Sequence, residues 1–406
     1  MAAKVGPMTA YVGCYTLPRQ ADPFADSPNG GVPHDESKTG AGILAVNVSP
    51  GGNLSFPSDA PSIVVNSVPN PSYLATLEGR GSPGEETYVP RRLCVVSEGE
   101  DGTLHMFSIA HDDPTKLIPL TIEALPTGGS YPCHVIAARG MIQEAPKEDI
   151  ILVCNYGSNE VGGTFTVYRK GKTGTAFEVA ETVLHGTQGA RGDSNNRQIA
   201  SHAHSCACAN GDAYVADLGL DAIIRYSYQS GSLRETGRLA LPSGSGPRSM
   251  TFNPHPQKSH IASVSLEMSA EVALMQVRKH DKCLEVLGSP YSVLPPGWPE
   301  YGNPMAKYNN GKWVSDSVWS RNGELLLVAA RLHNSIAMFR LKESSLLFLG
   351  RIPTGGITPR CLTVCGDILL VAHQHSHDIT SFRINEATGE LVVVDKIDAP
   401  LAACIK

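Results

Sequence analysis

The stretch Ile151-Leu-Val-Cys-Asn-Tyr156, followed by Gly163-Thr-Phe-Thr-Val-Tyr168, decides the fold. A short apolar run ends at a small polar break, and a second apolar or aromatic stretch follows. A pair of this kind reads as a β-hairpin. The same pair stands upstream as Leu93-Cys-Val-Val-Ser-Glu98 with Gly102-Thr-Leu-His-Met-Phe107. Downstream it returns as Ala213-Tyr-Val-Ala-Asp-Leu218 with Ala222-Ile-Ile-Arg-Tyr226, and as Ile261-Ala-Ser-Val-Ser-Leu-Glu267 with Glu271-Val-Ala-Leu-Met275. The last two are Leu325-Leu-Leu-Val-Ala-Ala-Arg331 with Ser335-Ile-Ala-Met-Phe339, and Ile368-Leu-Leu-Val-Ala-His-Gln374 with Asp378-Ile-Thr-Ser-Phe382. From the starting positions 93, 151, 213, 261, 325 and 368, the intervals are 58, 62, 48, 64 and 43 residues.

A unit of this length holds about four strands, the content of a propeller blade. Ala10-Tyr-Val-Gly-Cys-Tyr15 and Gly42-Ile-Leu-Ala-Val-Asn-Val48 supply one more blade, interrupted by a polar, Gly/Pro-rich insertion over 17–41. The pattern therefore predicts an all-β chain, a single seven-bladed β-propeller domain over 1–406. The Tyr11–Tyr15 strand is expected to pair with the C-terminal end and close the ring, which removes exposed sheet edges. Helical periodicity is essentially absent, and two separate β-sandwiches would not require such regular copies.

Composition narrows the function. A net charge of −6 with a pI near 6.2 argues against nucleic-acid or anionic-membrane binding, which require a basic face, but leaves room for a local basic pocket. No apolar run approaches the ~18 residues a membrane helix needs. The first residues carry no h-region, so no secretory signal is visible. The ten cysteines, mostly inside apolar runs, then read as reduced and buried small hydrophobes. The expectation is a cytoplasmic protein that needs no cofactor, and a monomer, since a closed ring has no edge to share.

Loops of a propeller converge at the mouth of its channel, so residues just before each apolar run, or at its end, can meet there. Those positions hold Tyr131-Pro-Cys-His134, Ser201-His-Ala-His204, Gly246-Pro-Arg248, Glu267, Arg331 and Thr358-Pro-Arg360. Together with Tyr11-Val-Gly-Cys-Tyr-Thr16, Cys154-Asn-Tyr-Gly-Ser158, Ala216-Asp-Leu-Gly-Leu-Asp221 and Arg331-Leu-His-Asn-Ser-Ile-Ala337, these motifs resemble the propeller-type 6-phosphogluconolactonases. They also resemble the related fungal carboxymuconate-cyclising enzymes. The resemblance covers nearly the whole chain, in family order. Three departures stand out: Ser249 follows Arg248 where most lactonase relatives have His, no Asn precedes Glu267, and Val371-Ala-His-Gln replaces a commoner Ala-Asn-Gln.

The resemblance implies a catalytic set of His204 (or His202, two positions earlier), Arg248, Glu267 and Arg331, contributed by different blades. It leaves His202, His134 and Arg360 as substrate-binding candidates. Arginine offers bidentate, permanently charged contacts to phosphate or carboxylate. An Arg aimed at a lactone carbonyl would stabilise the charge that builds there, and Glu267 or His204 could move the proton of the attacking water. The implied activity is hydrolysis of a small anionic sugar lactone. Cyclisation of a polycarboxylate muconate, or a binding propeller without catalysis, is the alternative.

Other motifs carry plainer readings. His202-x-His-x-Cys206-x-Cys208 alternates, which would place all four on one strand face and make a closed tetrahedral metal site hard to build. No metal is expected there. His373-Gln-His-Ser-His377 reads as a solvated turn and Arg191-Gly-Asp193 as a polar loop, while Lys170-Gly-Lys-Thr173 lacks the upstream Gly and the following helix of a phosphate-binding loop.

Overall fold

Each apolar pair found in the sequence forms the second and third strands of an antiparallel sheet. Ile151–Tyr156 lies in the strand Asp149–Ser158 and Gly163–Tyr168 in Gly162–Lys170, with Ile151 opposite Tyr168. Second strands are enclosed on both faces, as in Leu325–Ala330, where all six residues are buried. That is why they read as unbroken apolar runs rather than alternating ones. Outer strands such as Glu390–Asp398 are mostly exposed or half-buried, with Leu391 the one buried residue there.

The computed structural model describes residues 7–16, 40, 42–58, 62–79, 91–121, 123–139, 149–171, 177–190, 197–229, 232–298 and 311–406. Most of the 17–41 insertion and the Arg191-Gly-Asp193 loop lie outside these residues. The described strands form seven sheets of four or five strands each. Their innermost strands are Ala402–Ile405 (blade 1), Pro71–Leu77 (blade 2), Pro132–Arg139 (blade 3) and Ala203–Ala209 (blade 4). Pro247–Phe252 (blade 5), Val314–Trp319 (blade 6) and Pro359–Cys365 (blade 7) complete the set. These seven pack side by side in a ring around one axis. The architecture is a seven-bladed β-propeller.

Closure uses both ends of the chain. The strand Met8–Cys14 sits second in blade 1, and the last strand, Ala402–Ile405, pairs along its inner side. Tyr11 N–H donates to the Lys406 carbonyl at 2.6 Å, and Lys406 N–H returns to Tyr11 at 2.9 Å. Between blades the cores are apolar. Cys154, Phe165 and Val167 of blade 3 pack on Cys206, Val215, Ile224 and Tyr226 of blade 4. Tyr214 and Ile223 in turn meet Val264, Ala273 and Met275 of blade 5. Truncating a buried aromatic such as Phe165 at a seam of this kind costs about 3–5 kcal/mol.

The Gln374–His377 turn differs from the solvated reading. His373 is fully buried against Asp378, with Nδ1 to Oδ1 at 2.8 Å. His375 Nδ1 meets the Thr358 hydroxyl at 2.7 Å, and His377 Nδ1 accepts the Leu401 N–H at 3.1 Å. His373 and His375 therefore brace blade 7 internally and His377 ties it to the residue before the closing strand, an arrangement that local polarity could not reveal.

Candidate active site

Two repeated backbone devices build the channel mouth. In blades 2 to 7 the innermost strand bulges at its start. Pairing skips between Pro71 and Tyr73, Pro132 and His134, Ala203 and Ser205, Pro247 and Ser249, Val314 and Ser317, and Pro359 and Cys361. A bulge lets two successive side chains turn to one side. The channel is accordingly lined by adjacent pairs: Ser72 and Tyr73, Cys133 and His134, His204 and Ser205, Arg248 and Ser249, Arg360 and Cys361.

At the end of each blade's second strand, just past it in every blade but the third, where Tyr156 still lies within Asp149–Ser158, the second device fixes one residue. Its N–H donates to the carbonyl just ahead of the innermost strand: Glu98 to Asn70, Tyr156 to Tyr131, Leu218 to His202, Glu267 to Gly246, Arg331 to Trp313, Gln374 to Thr358 and Tyr15 to Leu401. Five of these acceptors have left-handed backbones, with φ of 41° at Asn70, 54° at Tyr131, 60° at Gly246, 61° at Thr358 and 52° at Leu401. Gly246 fits this conformation without a Cβ penalty, whereas the other four carry strain of the kind found near functional sites. The outcome is a rim made of Tyr15, Glu98, Tyr156, Leu218, Glu267, Arg331 and Gln374 above the ring of bulge residues.

Glu267 is the hub of this rim, with 1% of its surface exposed. Arg197 grips its carboxylate with both guanidinium nitrogens, Nη1 to Oε1 at 3.1 Å and Nη2 to Oε2 at 3.3 Å. Arg248 Nε approaches Oε2 at 3.3 Å and Arg331 Nη1 approaches Oε1 at 3.6 Å. Trp313 lies beneath two of the cations, 5.2 Å from Arg197 and 5.5 Å from Arg331. Burial raises the Glu267 carboxyl pKa, but Arg197, Arg248 and Arg331 outweigh it and hold the carboxyl at about 2. Arg331 also donates to Gln374 at 3.0 Å, and Arg248 donates to the Ser315 carbonyl.

The structure brings Arg248, Glu267 and Arg331 together and sets His204 beside them on the channel wall. Burial, reinforced by the fields of Arg248, Arg197 and Arg360, pushes the His204 pKa well below its usual value. Its imidazole is therefore neutral, with Nδ1 3.9 Å from the Cys133 thiol. His202 takes a different place: it stacks on Tyr156 at 4.1 Å, and its Nδ1 meets the Tyr156 carbonyl at 2.9 Å. His134 lies on the channel wall beside the Tyr73 ring at 4.3 Å, and burial first, then Lys406 and Arg248, lower its pKa to about 3. Arg360 belongs to a second ion pair, 3.8 Å from Glu98 and bonded to the Tyr15 hydroxyl, which donates to Glu98 at 2.7 Å.

Two readings of spacing change. His202, His204, Cys206 and Cys208 do not share one face, because the bulge turns His204 into the channel while Cys206 and Cys208 join the blade 3–4 core. Ser249 donates to Asp316 at 2.6 Å, and Asp316 also accepts N–H groups from Ser317 and Leu362 at 2.9 Å. Sequence reasoning missed Arg197 and Trp313. Arg197 sits in a polar stretch without strand pattern, and only its place beside Tyr156 and Glu267 reveals it. Trp313 had a signal, since it precedes an innermost strand just as Thr358 and Gly246 do.

A family model described as "Lactonase, 7-bladed beta-propeller" matches residues 9–406. The chain belongs to this lactonase family. A 6-phosphogluconolactonase of Bacillus subtilis is 25% identical over 68% of this chain and 73% of its own length. Among solved lactonase-like folds, the periplasmic gluconolactonase of Pseudomonas aeruginosa superposes with a TM-score of 0.75 at 20% identity, covering 99% of each chain. A Lactobacillus plantarum protein gives 0.74 at 20% identity, over 98% of this chain and 99% of the other. The lactonase chain thus shares its whole ring with these structures.

Proposed function

We propose that this lactonase hydrolyses a small anionic sugar lactone, with 6-phosphogluconolactone the leading candidate, at the rim where Arg197, Arg248 and Arg331 converge on Glu267. That convergence carries the reading: three guanidinium groups share one carboxylate at the channel mouth. An arriving phosphate or carboxylate takes bidentate contacts from them. A guanidinium near the lactone carbonyl stabilises the oxyanion as water adds.

A carboxyl held at about 2 is a poor proton acceptor at neutral pH, which supports giving Glu267 the work of spacing the guanidinium groups. Proton transfer then falls to His204, neutral and close to the same cations. Its imidazole accepts a proton from the attacking water and returns it to the ring oxygen as the C–O bond breaks. Substrate anion offsets the arginine field that depresses the His204 pKa, so binding strengthens the base. No disulfide joins any of the ten cysteines, which supports a reducing, cytoplasmic setting.

The test is a direct spectroscopic assay of freshly made 6-phosphogluconolactone beside unphosphorylated gluconolactone. The expected result is hydrolysis well above the spontaneous rate, a preference for the phosphorylated lactone, and loss of both in Arg248→Ala. No acceleration of either lactone sinks the proposal. Formation of a lactone from carboxymuconate would then assign the same cations to cyclisation.

A further inference from the structure

We propose a buried zinc-binding site at the seam of blades 3 and 4, made by His134 Nδ1, Cys154 Sγ and Cys206 Sγ. A ring nitrogen of His134 and a ligand atom from each cysteine lie within 4.8 Å of one another, and all three residues are buried. His134 and Cys154 are directly opposed on neighbouring strands of blade 3, and Cys206 comes from the innermost strand of blade 4. Cys206 Sγ is 3.8 Å from His134 Nδ1. In a tetrahedral zinc site with bonds of about 2.3 Å to sulfur and 2.0 Å to nitrogen, ligand atoms stand about 3.5–3.8 Å apart. Small side-chain rotations close the remaining gap.

The chemistry of the set selects the ion. Two thiolates and one imidazole are soft to borderline ligands, suited to zinc and not to calcium or magnesium. Two thiolates also cancel the charge of a dication, so the complex is neutral as a whole and can stay in this apolar seam. His134 Nδ1 accepts the Cys206 N–H at a long 3.4 Å, so it is the nitrogen that carries a lone pair, and zinc would displace that weak hydrogen bond to take it. His134 also lines the channel, giving the ion a route to the seam. Three protein ligands leave a fourth position for water. Bound zinc would cross-link the two blades directly beside His204. Ligands at 134, 154 and 206 lack the short spacing that marks a zinc site in sequence, so only the assembled ring shows them together.

The test uses the full chain, purified with reductant and without chelator, and titrated with cobalt(II) and then zinc(II). The expected result is one equivalent of cobalt with the thiolate-to-metal charge-transfer band, displaced by zinc. Cys206→Ser and Cys154→Ser should each weaken binding more than about 100-fold, while Cys208→Ser, on the same strand but outside the cluster, keeps it. The wild-type titration stands alone if a variant does not fold. Absence of the band in wild-type protein with all thiols reduced overturns the site, as does a band of full strength in folded Cys206→Ser.

Discussion

Replacing Glu267 by glutamine removes one charge and almost no volume from the centre of the arginine cluster. In the folded chain the carboxyl is held at about 2 against an ordinary value of 4.5, because Arg197, Arg248 and Arg331 more than offset the cost of burial. A difference of that size corresponds to about 3 kcal/mol of stability at neutral pH. Since the folded value lies below the unfolded one, this contribution is present in full above the unfolded pKa and is lost as pH falls from near 4.5 through 2. Glutamine cannot supply it at any pH. For a chain of 406 residues, with an unfolding entropy of about 0.8 kcal/mol per kelvin, the variant should melt about 4 °C lower at pH 7. At pH 3 the unfolded carboxyl is already protonated, so the gap should shrink to about 1 kcal/mol, or 1–2 °C. Scanning calorimetry of both proteins at the two pH values reads this directly. A gap that is absent at pH 7, or equally large at pH 3, refutes the view that the guanidinium groups hold Glu267 ionised.

Further expectations concern the site and its frame. Arg197→Ala should raise KM for the phosphorylated lactone about tenfold or more, and Arg197→Lys should not restore it, because a single ammonium cannot reproduce the two-nitrogen grip on Glu267; steady-state kinetics on the three proteins decide. His204→Gln should lower kcat by about 10²–10⁴-fold with little change in KM. The acid limb of the wild-type kcat–pH profile, set below the usual histidine range by burial and by Arg248, Arg197 and Arg360, should vanish with it. A chain ending at Leu401 lacks the innermost strand of blade 1 and leaves Met8–Cys14 as an open inner edge. It should aggregate or melt far below the full chain, and size-exclusion showing a monodisperse species of unchanged Tm would contradict the closure described above.

Much of the propeller was legible because its repeat is written in the second and third strands. Those strands are enclosed on both faces, so Leu325–Ala330 and Ile368–Ala372 appear as unbroken apolar runs whatever their neighbours do. The positions flanking these runs were legible too, since a residue before the innermost strand or after the second must sit at a blade's end. This is how Arg248, Glu267 and Arg331 came to be candidates for the mouth, and the resemblance to the lactonase propellers then grouped them although 83 positions separate the first from the last. Direction along the innermost strand was another matter. Alternation predicts that neighbours point apart, and the bulges at Cys133, His204, Arg248 and Arg360 break that rule once in each of their blades.

What the sequence by itself determined, then, was the number of blades, their order and the residue types at the mouth, because these depend on local burial pattern and chain order. The tertiary structure alone decided which side chains meet. Arg197 reaches Glu267 across 70 positions from a stretch with no strand pattern, and His134, Cys154 and Cys206 converge from two blades. The physical reason is that a ring brings strand ends together by closure. Contacts across the seams depend on how each blade is turned against the next, and no local period records that angle.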